Sequence, residues 1–232
     1  MTWVSYNKTR LARYFLIRQH FCILIFLTLF LNSFLIAENL ACVGSQAKKD
    51  NPSALILENI DRVCDKFFSP FDETDRKSLE LIERRITGIY GEYRRSYKPG
   101  HHHAGLDLEG DFNEKVYAIG FGWVVDIFRQ YPHRSVVIEH HLPDGNILYS
   151  MYVHVEDIQV RVGDWVNENT HLARLFNAEE LEQANFGTPN HLHLEIRKTL
   201  ADKGRASYAS MSMSALNMVC MDPLKFFKKN LQ

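Results

Sequence analysis

Histidines and acidic residues occur in this sequence at spacings that suit a metal ion. The most informative segment is His191–Glu195, in which two histidines alternate with leucines. Successive side chains of a β-strand point to opposite faces, so His191, His193 and Glu195 would share one face. Two unprotonated imidazoles that converge on one small volume suit a zinc ion. The alternative, for such a pair taken alone, is a polar strand face that happens to hold two histidines.

A second segment supplies the acidic ligand that the first lacks. His103 and Asp107 are four residues apart, with Gly105 between them. A glycine would let the backbone turn so that both side chains reach one ion. His103, Asp107 and one histidine of the strand, with a fourth position left for water, would be typical of a catalytic zinc site. The alternative for the run His101–His103 is a solvated loop with incidental affinity for metal.

A third segment, Tyr149–His154, ends in a histidine that could act beside the metal. If the segment is a strand, Tyr152 and His154 share one face and Val153 points to the other. Taken alone, a histidine at the end of an apolar strand is more often a surface residue than a catalyst.

The elements that must position these residues are mainly β-strands. From Lys115 onward, short β-branched and aromatic runs alternate with turn residues, and Pro143–Asn146 predicts a hairpin turn. We expect short helices around Ala54–Phe67, at Asp72–Arg84 and as an insertion at Glu179–Asn185. The sequence predicts an antiparallel β-sandwich or barrel-like core with an N-terminal helical extension. The predicted strands are Lys115–Ile119, Gly122–Phe128, Ser135–His140, Asn146–His154, His171–Phe176 and His191–Arg197.

The N-terminal segment has the organisation of an export signal. Basic residues without any acid precede the uncharged apolar run Phe21–Ala37. The run is near the lower length limit for crossing a bilayer, so an uncleaved membrane anchor is the alternative. The charge asymmetry would place the rest of the chain across the membrane. We predict a signal peptide or anchor at 1–37, a linker and helical extension at 38–85, and a domain with a C-terminal tail at 86–232.

Charge and cysteine content exclude several classes of protein. The chain holds 27 basic and 28 acidic residues, so it has no basic excess with which to coat nucleic acid. It has no Cys-x-x-Cys, which argues against a cysteine-based structural zinc site. Export would permit a disulfide between Cys64 and Cys220, and two buried thiols are the alternative.

The three segments together resemble a known enzyme family. The order His-x-Gly-x-Asp, Tyr-x-His and His-x-His-x-Glu is similar to that of the lysostaphin/LytM-type zinc metalloendopeptidases, which cleave peptide cross-links in bacterial cell walls. The resemblance extends from about Ile86 to Arg197, and Met221–Leu224 resembles a common tail of the family. It implies a LytM-type β core, one Zn²⁺ ion and the peptides of peptidoglycan as substrate.

The resemblance also implies a role for each matching residue. It selects His103 among three consecutive histidines, because only His103 is followed by glycine and aspartate at the family's spacing. Glu195 and Tyr152 are implied only as neighbours that support the site. The implied zinc ligands are His103, Asp107 and His193, and the implied catalytic histidines beside the metal are His154 and His191.

Three segments depart from the family's pattern and leave the cleaved bond open, and in one of them, Thr188–His191, the proline comes one position early. Arg129–Arg134 stands in place of a glycine-rich hairpin, and Glu179–Asn185 in place of a short glycine turn. The alternative function is a non-catalytic or autoinhibited LytM-like domain that binds an envelope regulator and activates another hydrolase, with residues 38–85 folded over the groove. A zinc peptidase that acts on exported proteins is a further alternative. We expect export to the periplasm or cell envelope, membrane contact only through the N-terminal segment, and no nucleic-acid partner.

Overall fold

The computed structural model describes residues 63–95, 100–201 and 212–231. All of these residues belong to one unit of the chain, Glu58–Gln232, and Met1–Leu57 lies outside the described residues. The predicted export segment at 1–37 therefore lies outside them as well. Among the residues that the structure describes, no helix is long and apolar enough to cross a membrane.

The described residues form short strands joined by tight turns, with a few short helices. The strands are β1 (Ile86–Gly88), β2 (Tyr93–Arg94), β3 (His101–His102), β4 (Leu106–Glu109), β5 (Lys115–Tyr117), β6 (Gly122–Phe128), β7 (Ser135–His141), β8 (Ile147–Val153), β9 (Trp165–Val166), β10 (His171–Arg174), β11 (His191–Arg197) and β12 (Cys220–Met221). The helices are α1 (Leu79–Arg84), α2 (Ala178–Ala184), α3 (Met213–Val219) and α4 (Pro223–Asn230).

Most of these strands belong to one antiparallel sheet. Its order is β1-β4-β11-β8-β7-β6-β9, and β12 pairs with the end of β11. The pairs β5–β10 and β2–β3 lie outside this sheet. The predicted turn between β7 and β8 is present. The Leu142 amide donates to the carbonyl of Asn146, and Gly145 adopts a φ of 82°. The predicted class, mainly antiparallel β, is confirmed.

The two faces of the sheet have different roles. On β11 every second residue, Leu192, Leu194 and Ile196, is fully buried in the main hydrophobic core. The alternate residues His191, His193 and Glu195 point to the other face, as the period of a strand requires. Burial of the apolar set fixes the register, because a slip of one residue would reverse every side chain.

The segment before the first strand packs against this core. Cys64, Phe67 and Phe71 belong to the core cluster, and Arg76 donates to the carbonyls of Ser69 and Ala118. Helix α1 is shorter than the predicted Asp72–Arg84, because the hydroxyl of Ser78 caps it by accepting from the Leu81 amide. The helix predicted at Ala54–Phe67 is absent from its described part, 63–67. The domain boundaries after residues 37 and 85 stay predictions.

The C-terminal tail also closes the core. Asp222 caps α4 by accepting from the backbone of Leu224 and Lys225, and Phe226 and Phe227 are buried in the main cluster. Among the described residues, Cys64 and Cys220 form no disulfide. They lie in separate apolar clusters, so the buried-thiol alternative describes this structure.

Candidate metal centre and its cleft

Strand pairing brings the predicted metal-binding residues together. Strands β4 and β11 are adjacent and antiparallel, and Asp107 lies directly opposite His193. His103 lies four residues before Asp107, in the loop that leads into β4. All three side chains are buried, with about 6% of each residue exposed.

Their polar atoms form a compact triangle. His103 Nε2 lies 2.9 Å from Asp107 Oδ1 and 2.9 Å from His193 Nδ1. Asp107 Oδ1 is also 2.9 Å from His193 Nδ1. Ligands that bind zinc tetrahedrally at 2.0–2.1 Å lie about 3.3 Å apart, so the triangle is close to the size that zinc requires. Within the described part of the chain, these residues form the one group whose atoms could hold a metal ion.

Hydrogen bonds outside the triangle orient both imidazoles toward it. His103 Nδ1 is 2.8 Å from the carbonyl of Ile89, which can only accept, so this nitrogen carries the proton. His193 Nε2 lies 3.1 Å from Glu195 Oε1 and donates to that carboxylate. The other nitrogen of each ring points into the triangle, where it would bind a metal ion in its unprotonated form, releasing any proton that it carries. The donor set of two imidazoles and one carboxylate fits zinc.

His154 and His191 lie beside the triangle and are oriented in the same way. His191 Nδ1 donates to the carbonyl of Pro189 at 2.8 Å, and His154 Nδ1 donates to the carbonyl of Pro132 at 3.0 Å. Both rings therefore keep an Nε2 lone pair. Their centroids are 5.1 Å apart, and His191 Nε2 is 3.9 Å from Asp107 Oδ1. All five predicted site residues thus line one cleft.

The sequence-based prediction for the face of His154 was wrong. Tyr152 is fully buried on the core side, where its hydroxyl accepts from the Ile119 amide, whereas Val153 lines the cleft. His154 follows the end of β8 with a φ of 66°, so it leaves the strand in a left-handed conformation. This turn places its ring on the same side as Val153. Non-glycine residues rarely adopt such a backbone, and functional sites are where this strain concentrates.

Gly105 is required for a different reason from the one predicted. Its φ is not in the left-handed region. A Cβ atom at this position would instead lie 2.5 Å from the Leu194 carbonyl oxygen and 2.9 Å from His193 Nε2. The glycine therefore allows the loop before β4 to approach β11 closely, which brings His103 to His193.

Opposing effects set the protonation of the triangle. Burial raises the pKa of Asp107, but the hydrogen bonds from His103 and His193 outweigh burial and hold that pKa well below its usual range. Burial lowers the pKa of His193, whereas Asp107 and Glu195 together raise it to about 9. Asp107 also accepts from Arg94 Nη2 at 2.8 Å through its other oxygen, Oδ2. Asp107 is therefore ionised and held at both oxygens.

A buried ion pair supports His193 from behind. Glu195 and Arg197 are fully buried on the same face of β11, and Arg197 donates to Glu195 Oε2. Burial raises the pKa of Glu195, but the hydrogen bond with His193 and the charge of Arg197 bring it below its ordinary value. Glu195 therefore contacts His193 as implied, whereas Tyr152 does not approach the site.

The cleft has a volume of about 200 Å³, and residues outside the predicted set also line it. Phe186 packs against His154 with a centroid separation of 4.5 Å, and His133 lies 5.4 Å from the same ring. Arg94 and His101 also line the cleft. Their spacing in the sequence did not predict that they line the cleft, because only the tertiary fold brings them there. None of residues 63–85 lines it.

Part of the chain is similar to a known family and to several solved structures. Residues 101–207 match the sequence profile of peptidase family M23. LytU has a similar structure, with 24% identity, a TM-score of 0.45, and coverage of 62% of this chain and 85% of its own. No curated protein sequence matches the chain.

Two further structures are similar to part of the chain. Lysostaphin from Staphylococcus simulans gives 20% identity and a TM-score of 0.48, over 71% of this chain and 55% of its own. A zinc-containing peptidase from Vibrio cholerae gives 22% identity and a TM-score of 0.43, over 64% of this chain and 40% of its own. This chain therefore spans about half or less of those two proteins.

Proposed function

We propose that this chain, whose residues 101–207 match the profile of peptidase family M23, is a zinc-dependent endopeptidase that hydrolyses peptide cross-links of peptidoglycan. The observation that carries the proposal is the convergence of five side chains on one cleft. His103, Asp107 and His193 would hold a single Zn²⁺ ion. His154 and His191 would be the catalytic histidines beside it.

Each residue of the site has a task in this mechanism. When bound, zinc supplies Lewis-acid chemistry, because it lowers the pKa of water and polarises a peptide carbonyl. His154 and His191 keep an unprotonated Nε2 in the cleft, so either ring can accept the proton of the attacking water. The same ring, once protonated, can donate to the leaving amine or stabilise the oxyanion. The hydrogen bonds to Pro132 and Pro189 fix the tautomers that this chemistry needs.

We propose that the enzyme acts outside the cytoplasm, in the periplasm or cell envelope. The support is the sequence of residues 1–37, in which basic residues precede an apolar run. The same segment would be the chain's only membrane contact, as a cleaved signal or a retained anchor.

A non-catalytic or autoinhibited domain that activates another hydrolase is the second candidate. Masking by the packed part of the extension is disfavoured, because residues 63–85 line no part of the cleft. Loss of the metal is disfavoured by the intact donor set of His103, Asp107 and His193.

Digestion of purified, cross-linked peptidoglycan tests the proposal. The full chain is incubated with the polymer as prepared, after chelation, and after zinc is restored, and released fragments are identified by mass spectrometry. We expect the enzyme to cleave cross-linked dimers. Chelation should stop this cleavage, added zinc should restore it, and the His154→Ala control should show none. Unchanged fragments in a zinc-loaded sample would favour the activator instead.

A further inference from the structure

One side of the cleft is an aromatic wall that the family's motifs do not account for. We define this wall as His133, Phe176 and Phe186. Phe186 is partly exposed to the cleft, whereas Phe176 lies behind it, buried and stacked at a centroid separation of 6.1 Å. His133 completes the wall at 6.1 Å from Phe186. These rings surround His154, so the wall lies directly beside the groups proposed to perform the chemistry.

The wall lies at two of the segments that depart from the family's pattern, because His133 belongs to Arg129–Arg134 and Phe176 and Phe186 flank Glu179–Asn185. The loop Arg129–Arg134 contacts α2 through Tyr131, whose hydroxyl donates to the carbonyl of Glu180. The ring of Tyr131 also packs against Phe176 at 5.7 Å. Arg129–Arg134 and helix α2 therefore contact each other and form one structural unit beside the cleft.

Helix α2 is held at both ends, which fixes the position of Phe186. At its start, Asn177 and Glu180 form a reciprocal capping box, and Arg174 pairs with both oxygens of Glu180, at 2.7 and 3.0 Å. At its end, Asn185 adopts a left-handed conformation with a φ of 51° and turns the chain into the cleft. Phe186 follows at once, so its ring is placed by a capped helix.

We propose that Phe186 determines which bond is cleaved, by contacting the side chain of the substrate residue next to the scissile bond. The centroid of the Phe186 ring lies 4.5 Å from that of His154, so Phe186 is in direct contact with a proposed catalytic histidine. An alanyl residue at this position buries its methyl group against the ring, whereas a glycyl residue has nothing to bury. The cleft therefore favours an alanyl bond over a Gly–Gly bond. This inference rests on the proposed function and adds the substrate class to it.

Two synthetic cross-linked peptides, identical except for D-alanine or glycine on the carbonyl side of the scissile bond, test this inference. We would measure kcat and KM for both peptides with the zinc-loaded full chain, Phe186→Ala, Phe186→Leu and the matched surface control Phe112→Ala. We expect Phe186→Ala to reduce the alanyl-to-glycyl ratio of kcat/KM by about tenfold, mainly through the KM of the alanyl peptide. Phe186→Leu, which keeps an apolar contact, should restore most of the ratio, and Phe112→Ala should leave it unchanged.

Other outcomes would overturn the inference or the function on which it rests. If Phe186→Ala slows both peptides equally, the ring only supports His154 and the inference is wrong. If the wild type cleaves neither peptide, the proposed function fails. In that case, the dissociation constants of both peptides, measured with the same proteins, test the inference. A preference for the alanyl peptide that Phe186→Ala removes would support it, and equal affinities would contradict it.

Discussion

The buried pair of Glu195 and Arg197 gives the sharpest prediction, because it connects stability to metal affinity. Both side chains are fully inaccessible to solvent. Glu195 uses one oxygen for His193 Nε2, at 3.1 Å, and the other for Arg197. In Glu195→Gln one of these acceptors becomes an amide N–H, and the buried guanidinium of Arg197 loses its ion pair with the Glu195 carboxylate. Arg197 also donates from Nε to the Thr199 carbonyl, at 3.2 Å, and that partner is neutral.

The expected magnitude follows from this arrangement. Breaking a buried ion pair from one side costs about 3–5 kcal/mol of unfolding free energy, whereas replacing both partners is often nearly neutral. We therefore expect Glu195→Gln to lose about 3–5 kcal/mol. The double variant with Arg197→Met should recover most of that loss. A neutral amide also makes the His193 imidazole a weaker ligand, so zinc affinity should fall roughly 10- to 100-fold in both variants.

Two assays separate the effects. Urea unfolding of the chelated full chain measures stability without metal, and competition with a chromophoric chelator measures zinc affinity. The reasoning would be refuted by a single variant within about 1 kcal/mol of wild type, or by a double variant no more stable than the single one. Unchanged zinc affinity in both variants would show that Glu195 does not act through His193.

The remaining predictions concern other parts of the fold and site. Complete burial lowers the pKa of His140 to about 4, so below pH 6.5 this side chain binds a proton in the unfolded chain but not in the folded one. His140 should therefore contribute a fall of roughly 3 kcal/mol in unfolding free energy between pH 6.5 and 4. His140→Gln should flatten that dependence in urea titrations at pH 7 and 5, and an equally steep loss would contradict the assignment. Gly105→Ala, which puts a Cβ 2.5 Å from the Leu194 carbonyl oxygen, should cost about 1–3 kcal/mol and weaken zinc binding, whereas Gly145→Asn, in an open turn, should do neither. His193→Ala should abolish zinc binding, while His154→Ala should retain zinc and lose turnover; normal turnover in His154→Ala would exclude its proposed role.

The alternation of buried and cleft-facing side chains along a strand could be predicted from sequence, because it depends only on which neighbouring residues are apolar. The pattern of His191–Arg197 predicts both the strand and its two faces, since three apolar residues must enter the core. The set His103, Asp107 and His193 followed from a family resemblance. The structure places Asp107 opposite His193 on paired strands and His103 in the loop before β4.

Features that depend on the tertiary fold could not be predicted in this way. The left-handed backbone at His154 reverses its predicted face, and no residue type near it signals that turn. The role of Gly105 comes from β11, which lies far away in sequence. Phe186 reaches the cleft from the C-terminal end of α2, and Arg94 reaches it from β2. Their spacing from the histidine motifs carries no information about this contact.

The most direct test of the account is the zinc stoichiometry of the full chain, measured by elemental analysis after dialysis against a weak chelator. The account predicts one zinc ion per chain in the wild type and in His154→Ala. It predicts none after replacement of His103, Asp107 or His193 by alanine. A zinc ion that survives all three replacements, or a wild type that binds none, would contradict the proposal that these residues form the metal centre.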